Sequence, residues 1–425
     1  VKILHTSDWH LGRTLYNQQR YEEFEAFLLW LGKLIHAEAV DILLISGDVF
    51  DTRTPSHRAQ ALYYRFLCEM AQGSCRHVVV TGGNHDSASF LNAPREILHA
   101  LNVHVVGEVT GSPEDEILIL HAGKKDDGNG ESAFPDTAVI CAVPFLKDRD
   151  VRVSEAGESA DDKQASLLAG IRKHYAEVSV LAEKKRSLLA AEAQKPERAF
   201  PLIVMGHLFA AGGKSVEGDG VRDLYVGSLA HVSADIFPES ADYVALGHLH
   251  SAQKVGGSDF VRYSGSPLAM GFGETRREKS VCLVTFGDSG PALSLVPVPV
   301  FQKLERIQGG WDGIAGRIAE LSLGASDAWL EVLYTGKELM GDLRQALDEA
   351  VKGSSMSILC VKNRQISEQI LEKGRAEETL ADLDVQEVFD RCLEAHGIPE
   401  DQRADLQQDF SEILFALAEE GRPVS

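Results

Sequence analysis

The sequence predicts an α/β protein built on a mainly parallel sheet, and three observations carry that prediction. Short apolar runs alternate with stretches of helical period across residues 3–86. Each run stops where an Asp, Asn or His follows, and the same run-then-histidine pattern returns twice between 202 and 250. Strands that alternate with helices pair in parallel and offer ligands beyond their carboxyl ends.

The first strand, Lys2-Ile3-Leu4-His5-Thr6, leads into Ser7-Asp8-Trp9-His10-Leu11-Gly12, which sets a carboxylate and an imidazole two residues apart. Residues 20–39 carry Tyr21, Phe24, Phe27, Leu28, Leu31, Leu34 and Ile35 at spacings of three and four, an amphipathic helix. The next strand, 41–46, ends in Gly47-Asp48-Val49-Phe50-Asp51, and after a helix over 56–72 the strand 76–81 ends in Gly82-Gly83-Asn84-His85-Asp86. Residues 102–143 read as short strands and turns at the sheet periphery, with an exposed loop at 126–130. A long helix with one apolar stripe, packed along one side and otherwise solvated, is expected over 156–197. Strands 202–205 and 243–246 then end in Gly206-His207 and Gly247-His248-Leu249-His250.

Closing strands are expected across 259–287, with a sharp turn at Ser264-Gly265-Ser266-Pro267, and Val296–Val300 reads as a linker. The boundaries that follow are a first domain over 1–295, a small α/β module over 301–370 and a helical tail over 380–425. The module reads as strand, helix, strand, helix, strand. The tail offers two amphipathic helices separated by Gly397-Ile398-Pro399, too short a pair to bury itself, so docking on a partner is the expectation.

Composition limits the function. In 425 residues the formal net charge is -22, which argues against binding nucleic acid through overall charge; any such contact is local, metal-assisted or shared with a partner. Six cysteines without a Cys-x-x-Cys pair suggest neither a zinc knuckle nor a disulfide framework. No apolar segment reaches the length of a membrane span and no charged-then-apolar leader precedes the first strand, so a cytoplasmic protein is expected.

The chemistry lies in the constellation. Five strand ends deliver Asp8, His10, Asp48, Asn84, His207, His248 and His250, an inventory of two carboxylates, one amide and four imidazoles that suits two divalent cations. Asp8, His10 and His250 are assigned to one cation, Asn84, His207 and His248 to the other, and Asp48 bridges. The nitrogen and oxygen mixture suits Mn2+, with Mg2+, Fe2+, Co2+ or Zn2+ as substitutes. Such a pair activates a water and clamps the attacking and departing oxygens of an in-line displacement, so phosphoester hydrolysis is expected. His85 either protonates the leaving oxygen or stabilises the phosphorane. Asp86 either sets the His85 tautomer or caps the following helix, and Asp51 either orients a ligand or His85, or forms a turn.

Asp8-x-His10, Gly47-Asp48-x-x-Asp51, Gly83-Asn84-His85-Asp86, Gly206-His207 and Gly247-His248-x-His250 together resemble the calcineurin-like metallophosphoesterase superfamily. The wording of residues 2–12, 47–51, 221–223 and 245–250 is similar to a bacterial nuclease-subunit branch within it, and the resemblance covers nearly the whole chain. It implies a sheet sandwich flanked by helices, with a small capping module and a C-terminal helical pair. It further implies a manganese-dependent DNA nuclease that degrades duplex ends 3' to 5' and opens hairpins in recombination and repair. In that branch a nuclease homodimer joins an SbcC-type ATPase dimer, the module caps the site and contacts DNA, and the tail binds the ATPase coiled coil. Arg13, Arg20, Arg262, Arg276 and Arg277 could meet phosphates, although ordinary surface charge explains any one of them as well. Two rival readings stand beside this one: a phosphatase or cyclic-nucleotide phosphodiesterase acting on small substrates, and a noncatalytic adaptor.

Overall fold

The computed structural model describes residues 1–122, 136–152, 158–210, 233–287, 290–336 and 343–363, together with Phe389 and Leu393. The chain divides into two compact units, Val1–Gln302 and Lys303–Ser425.

In the first unit β1 (Lys2–Thr6), α1 (Tyr21–Ala37), β2 (Ile42–Ser46), α2 (His57–Gln72), β3 (His77–Thr81), the short helices α3 (Ala88–Asn92) and α4 (Arg95–His99), and β4 (Val103–Val106) follow the expected alternation. β1 to β4 pair in parallel, in chain order. The Ser56 hydroxyl starts α2 by accepting from the Ala59 N–H, satisfying a donor that the first helical turn leaves unpaired.

The chain then builds a second sheet from β5 (Ile117–His121), β6 (Thr137–Ala142), α5 (Asp148–Val151), α6 (Ala160–Ala193), β7 (Leu202–His207), β8 (Tyr243–Gly247), β9 (Gln253–Val255) and β10 (Ser258–Tyr263). Its order is β5-β6-β7-β8-β10-β9, parallel from β6 to β10 with antiparallel edges. β11 (Ser280–Gly287) returns to the first sheet beside β1 and antiparallel to it, and β12 (Gly290–Pro297) pairs antiparallel with β11 at the edge.

The two sheets face one another. Ile3, Ile42, Leu44 and Val79 of the first meet Ile140, Ile203, Met205 and Ala245 of the second in one buried layer. Each such side chain contributes roughly 1.5–3 kcal/mol on burial. The opposite faces carry the helices: Phe24, Phe27, Leu31, Tyr63, Phe66 and Leu67 of α1 and α2 cover the first sheet, and Ile171, Tyr175, Val178 and Ala182 of α6 cover the second. The long helix thus packs along one side, within the range expected for it.

Two expectations need correction. The segment 102–143 is not wholly peripheral: β6 is buried at every residue and lies inside the second sheet, between β5 and β7. Its apolar run is short because a strand buried on both faces needs no polar alternation. Val296 and Pro297, read as the start of a linker, end edge strand β12, where a proline costs no ladder hydrogen bond on the open side.

The second unit has β13 (Leu304–Gly309), α7 (Trp311–Leu323), β14 (Trp329–Tyr334), α8 (Leu343–Ala350) and β15 (Ser357–Asn363). Its three strands are parallel and in chain order, and Ile314, Ile318, Leu321 and Leu347 pack on Leu330, Val332 and Ile358. The helical tail expected over 380–425 and the Val221-Arg222-Asp223 motif lie outside the described residues, apart from Phe389 and Leu393.

Candidate metal centre

The loops after β1, β2, β3, β7 and β8 gather Asp8, His10, Asp48, Asn84, His207, His248 and His250 at the same end of the two sheets. Trp9 explains how Asp8 and His10 turn to the same side. Its indole is fully buried against Phe27 and Phe66, at 5.8 and 5.4 Å between ring centroids, and donates to Thr6 Oγ1 at 3.0 Å. The residues on either side are driven into left-handed backbone, Asp8 at φ 53° and His10 at φ 47°. Asp48 at φ 50° and His248 at φ 105° share that region. Each such residue costs on the order of 1–3 kcal/mol and persists only where its surroundings over-determine it.

Here the surroundings do so. The Asp8, His10 and Leu11 amides donate to the carbonyls of Gly47, Asp48 and Val49, zipping the first two loops together. Asp8 accepts from the Ser7 hydroxyl at 2.5 Å and from the His248 N–H at 3.0 Å, while Asp48 accepts from the His85 N–H at 2.9 Å. Glycine is required where strand ends come this close. A Cβ on Gly83 would overlap the Asp48 carboxylate, and one on Gly247 would overlap the Ser46 carbonyl.

The ring nitrogens are directed by fixed partners. The carbonyl of Ser46 can only accept, so His207 donates to it from Nδ1 at 2.9 Å and turns Nε2 towards Asn84 Oδ1 at 3.0 Å and Asp48 Oδ2 at 3.3 Å. His248 Nδ1 lies 3.1 Å from the same Asn84 oxygen. On the other side His10 Nε2 faces His250 Nε2 at 3.1 Å, and Asp8, His10 and His250 offer three ligand atoms within 4.8 Å of one another. Asp8, Asp48 and His207 form a second such group, and His10, Asp51 and His85 a third.

Lone pairs packed this closely repel unless a positive charge lies among them. Burial pushes the Asp48 carboxyl up, but the His207, His10 and His85 imidazoles outweigh it and hold it well below the usual carboxylate range. Burial lowers His207, yet the neighbouring Asp48 and Asp8 charges raise it to about 9. Burial and then the His207 charge drive His248 down to about 3. Burial, with the Asp48 charge, raises Asp8 despite its histidine neighbours. The set's mixed imidazole, carboxylate and amide donors fit divalent transition metals.

The residues around this set differ in part from expectation. Asp86 does not touch the His85 ring, nor does it cap α3, whose cap is Ser87. Its carboxylate accepts from the amides of Gly83, Val49 and Phe50 at 2.9, 3.1 and 3.0 Å, so it ties the third loop to the second. Burial and the Asp48 charge raise it to about 6 against those donors. The Nδ1 of His85 instead donates to the main-chain carbonyl of Asp51 at 2.9 Å, and burial lowers its pKa. The Asp51 carboxylate lies 3.3 Å from both His10 Nδ1 and Arg13 Nη1.

Of the cations expected at a phosphate surface, Arg20 and Arg262 are 1% and 7% exposed. Arg20 pairs with Glu23 at 2.8 Å and Arg262 reaches the Asp259 carbonyl, so neither guanidinium meets a phosphate in solvent. Arg276 and Arg277 are exposed, and Arg277 donates to Ser251 Oγ at 2.6 Å. One contributor escaped the sequence reading. Tyr263 Oη donates to the Leu208 carbonyl and accepts from the Ala210 N–H, both at 2.7 Å, pinning the chain just after His207. A tyrosine at the end of a closing strand gives no signal of such a role.

Among the described residues, no helix is long and apolar enough to cross a membrane. Comparison with known proteins places the chain in a family. The calcineurin-like phosphoesterase family model matches residues 1–252, and a model described as the type 5 capsule protein repressor C-terminal domain matches residues 300–397. The chain is 36% identical over 424 residues to SbcD, the D component of the SbcCD nuclease, of Escherichia coli K12, covering 99% of each chain. It is 36% identical over 300 residues to the protein of that name from Rhodobacter capsulatus (70% of this chain, 69% of the other). The Bacillus subtilis protein of that name is 32% identical over 287 residues (67% and 66%). A strand-end donor set built for divalent metals, a family model spanning more than half of the chain and a relative matched from end to end agree: this chain belongs to the calcineurin-like phosphoesterases, in their SbcD nuclease family, and is a phosphodiester hydrolase.

Proposed function

We propose that the chain is the nuclease subunit of a complex with an SbcC-type ATPase, cleaving duplex DNA ends 3' to 5' and opening hairpins with two Mn2+ ions. The observation that carries this reading is the meeting of nitrogen and oxygen donor atoms from five strand ends, with His207 Nε2 3.0 Å from Asn84 Oδ1 and 3.3 Å from Asp48 Oδ2. Asp8, His10 and His250 would hold one cation, Asn84, His207 and His248 the other, with Asp48 between them. When bound, the pair supplies an acidified water and neutralises charge on the phosphoryl oxygens.

The chain's own residues do the rest. Because the Asp51 carbonyl keeps the proton on His85 Nδ1, Nε2 is the atom that gains or gives a proton. Burial keeps that ring neutral in the free protein, and the negative charge of a bound phosphodiester raises its pKa again, so the proton arrives with the substrate. Imidazolium at Nε2 is then placed to stabilise the leaving oxygen. Asp51 orients His10, and Asp86 fixes the loop that carries Asn84 and His85.

Arg13, Arg276 and Arg277 are the cations of the first unit proposed to meet DNA phosphates. The module described over 303–363 is assigned to DNA contact and capping, the tail to the ATPase, and the assembly to a nuclease homodimer within a heterotetramer at the nucleoid in the cytoplasm. A partner's basic surface answers the net charge of -22.

The test is cleavage of a labelled hairpin-ended duplex with Mn2+, by the chain alone and with an SbcC-type ATPase, beside His85→Ala and Asp48→Ala. Cleavage that requires Mn2+, falls in both variants and becomes ATP-dependent with the partner is expected. Brisk hydrolysis of a small phosphodiester with no DNA cleavage in any combination would keep the metal site and replace DNA by a small substrate, the reading that the acidic charge favours.

A further inference from the structure

The main-chain carbonyl of His250 accepts from the Lys279 ammonium at 2.9 Å and from the Ser266 N–H at 3.1 Å, and lies 3.3 Å from the Ser266 hydroxyl, which donates at 2.9 Å to the Leu268 carbonyl. Lys279 also donates to Ser266 Oγ at 2.8 Å and to Glu274 Oε1 at 2.9 Å, and Glu274 Oε2 accepts from the Met270 N–H at 2.6 Å. This is a buried ion pair, with side-chain exposures of 10% for Lys279 and 0% for Glu274. Gly265, at φ 75°, lies so near that a Cβ there would stand 2.8 Å from the His250 carbonyl and 2.6 Å from the Ala252 nitrogen. The segment 264–279 therefore forms a polar cradle under the chain that carries His250.

We infer that Lys279 and Glu274 are positioning residues for His250. They hold its peptide so that the ring presents Nε2 to His10 Nε2 at 3.1 Å. The physical grounds are location and cost. A buried ion pair gives little net stability over apolar residues of the same size, so its placement asks for another reason. Here the ammonium does not spend its donors on Glu274 alone: it bridges that carboxylate to the peptide oxygen of a proposed ligand, 29 residues away in sequence. Outer partners that orient a ligand typically change metal affinity about 10–100-fold when removed. The inference rests on reading Asp8, His10 and His250 as a cation site.

The test uses the full chain, loaded with Co2+ and followed by visible absorption, beside thermal melting of the metal-free protein. Lys279→Met combined with Glu274→Gln removes both charges together and leaves an acceptor for the Met270 N–H. One of the two Co2+ ions should bind about 10–100-fold more weakly, with an altered spectrum, while the metal-free melting midpoint stays close to the parent's. Lys279→Arg, which keeps a cationic donor, should recover binding towards the parent. Unchanged Co2+ affinity and spectrum in the double variant, or an Arg variant no better than the double one, overturns the inference. Should the double variant fail to fold, the same comparison is read on Ser266→Ala, which deletes the hydroxyl that accepts from Lys279 beside the His250 carbonyl. His250→Ala separates the two levels: if it leaves Co2+ binding unchanged the cation-site reading itself falls, whereas weakened binding there with none in the double variant removes only the positioning role.

Discussion

Two regions of this molecule use the same construction and differ in what they leave unfinished. The first unit and the module of the second are both built from parallel strands joined through helices. In the module, buried Glu331 on the central strand is met by Arg306 and Lys362 from the strands on either side, the Lys362 contact at 2.9 Å. Its charge is answered inside the fold. At the strand ends of the first unit, buried Asp8 and Asp48 face imidazoles whose ring nitrogens crowd to within 3.1–3.3 Å of one another and of the carboxylate, and four residues there sit in left-handed backbone. The difference teaches that parallel α/β architecture sets where ligands can stand. Whether chemistry follows depends on charges that the fold gathers without neutralising.

The largest effect expected is on the unfinished side. Asp48→Ala should lower phosphodiester hydrolysis by at least about 10²–10³-fold, the scale seen when a main electrostatic contact to the reacting group is lost. Glu331→Gln should leave hydrolysis of a small phosphodiester at the parent rate. Comparable losses in the two variants would break the comparison.

Next come the glycines. Gly83→Ala puts a methyl group against the Asp48 carboxylate and should cost on the order of 10²-fold in rate through displacement of that group. Gly316→Ala, in α7 of the module with open space around it, should stabilise the chain by about 0.5–1 kcal/mol with no change in rate. Glu331→Gln sharpens the same contrast on the stability side. Removing a buried carboxylate with two half-exposed cationic partners should destabilise the module by about 1–2 kcal/mol, read from denaturant midpoints.

The last prediction concerns pH. Burial holds His5 down at about 3 and His104 at about 4, the latter with help from the His77 and His99 charges. Both are neutral when folded and can take a proton when unfolded, so the unfolded chain binds more protons below the ordinary histidine value. Their contribution is complete above about pH 6.5 and is lost as pH falls towards 4. The metal-free protein should therefore lose melting temperature across that window, and His104→Gln should flatten the loss. An unchanged acid limb in that variant would assign the titration to the strand-end histidines and carboxylates instead.

The strand-end motifs were legible because each candidate ligand follows a short apolar run bounded by turn residues, and parallel topology leaves those ends together. Ser7-Asp8-Trp9-His10 is the clearest case: a carboxylate and an imidazole stand two residues apart just past the end of an apolar strand. Arg20 and Arg262 were misread as surface cations because local sequence carries charge but not depth; both are buried. Asp86 was misread because its partners Val49 and Phe50 belong to another loop, 37 and 36 residues away.

By itself, then, the sequence determined which residues could carry the chemistry and on which strands they ride, since hydrophobic period and strand termination are local properties. Tertiary structure alone decided that β6 is interior, which nitrogen of His85 and of His207 faces a main-chain carbonyl, and that Lys279 and Glu274 stand under His250. Those facts depend on carbonyls and carboxylates brought within hydrogen-bond reach from remote parts of the chain, and no local pattern records such a meeting.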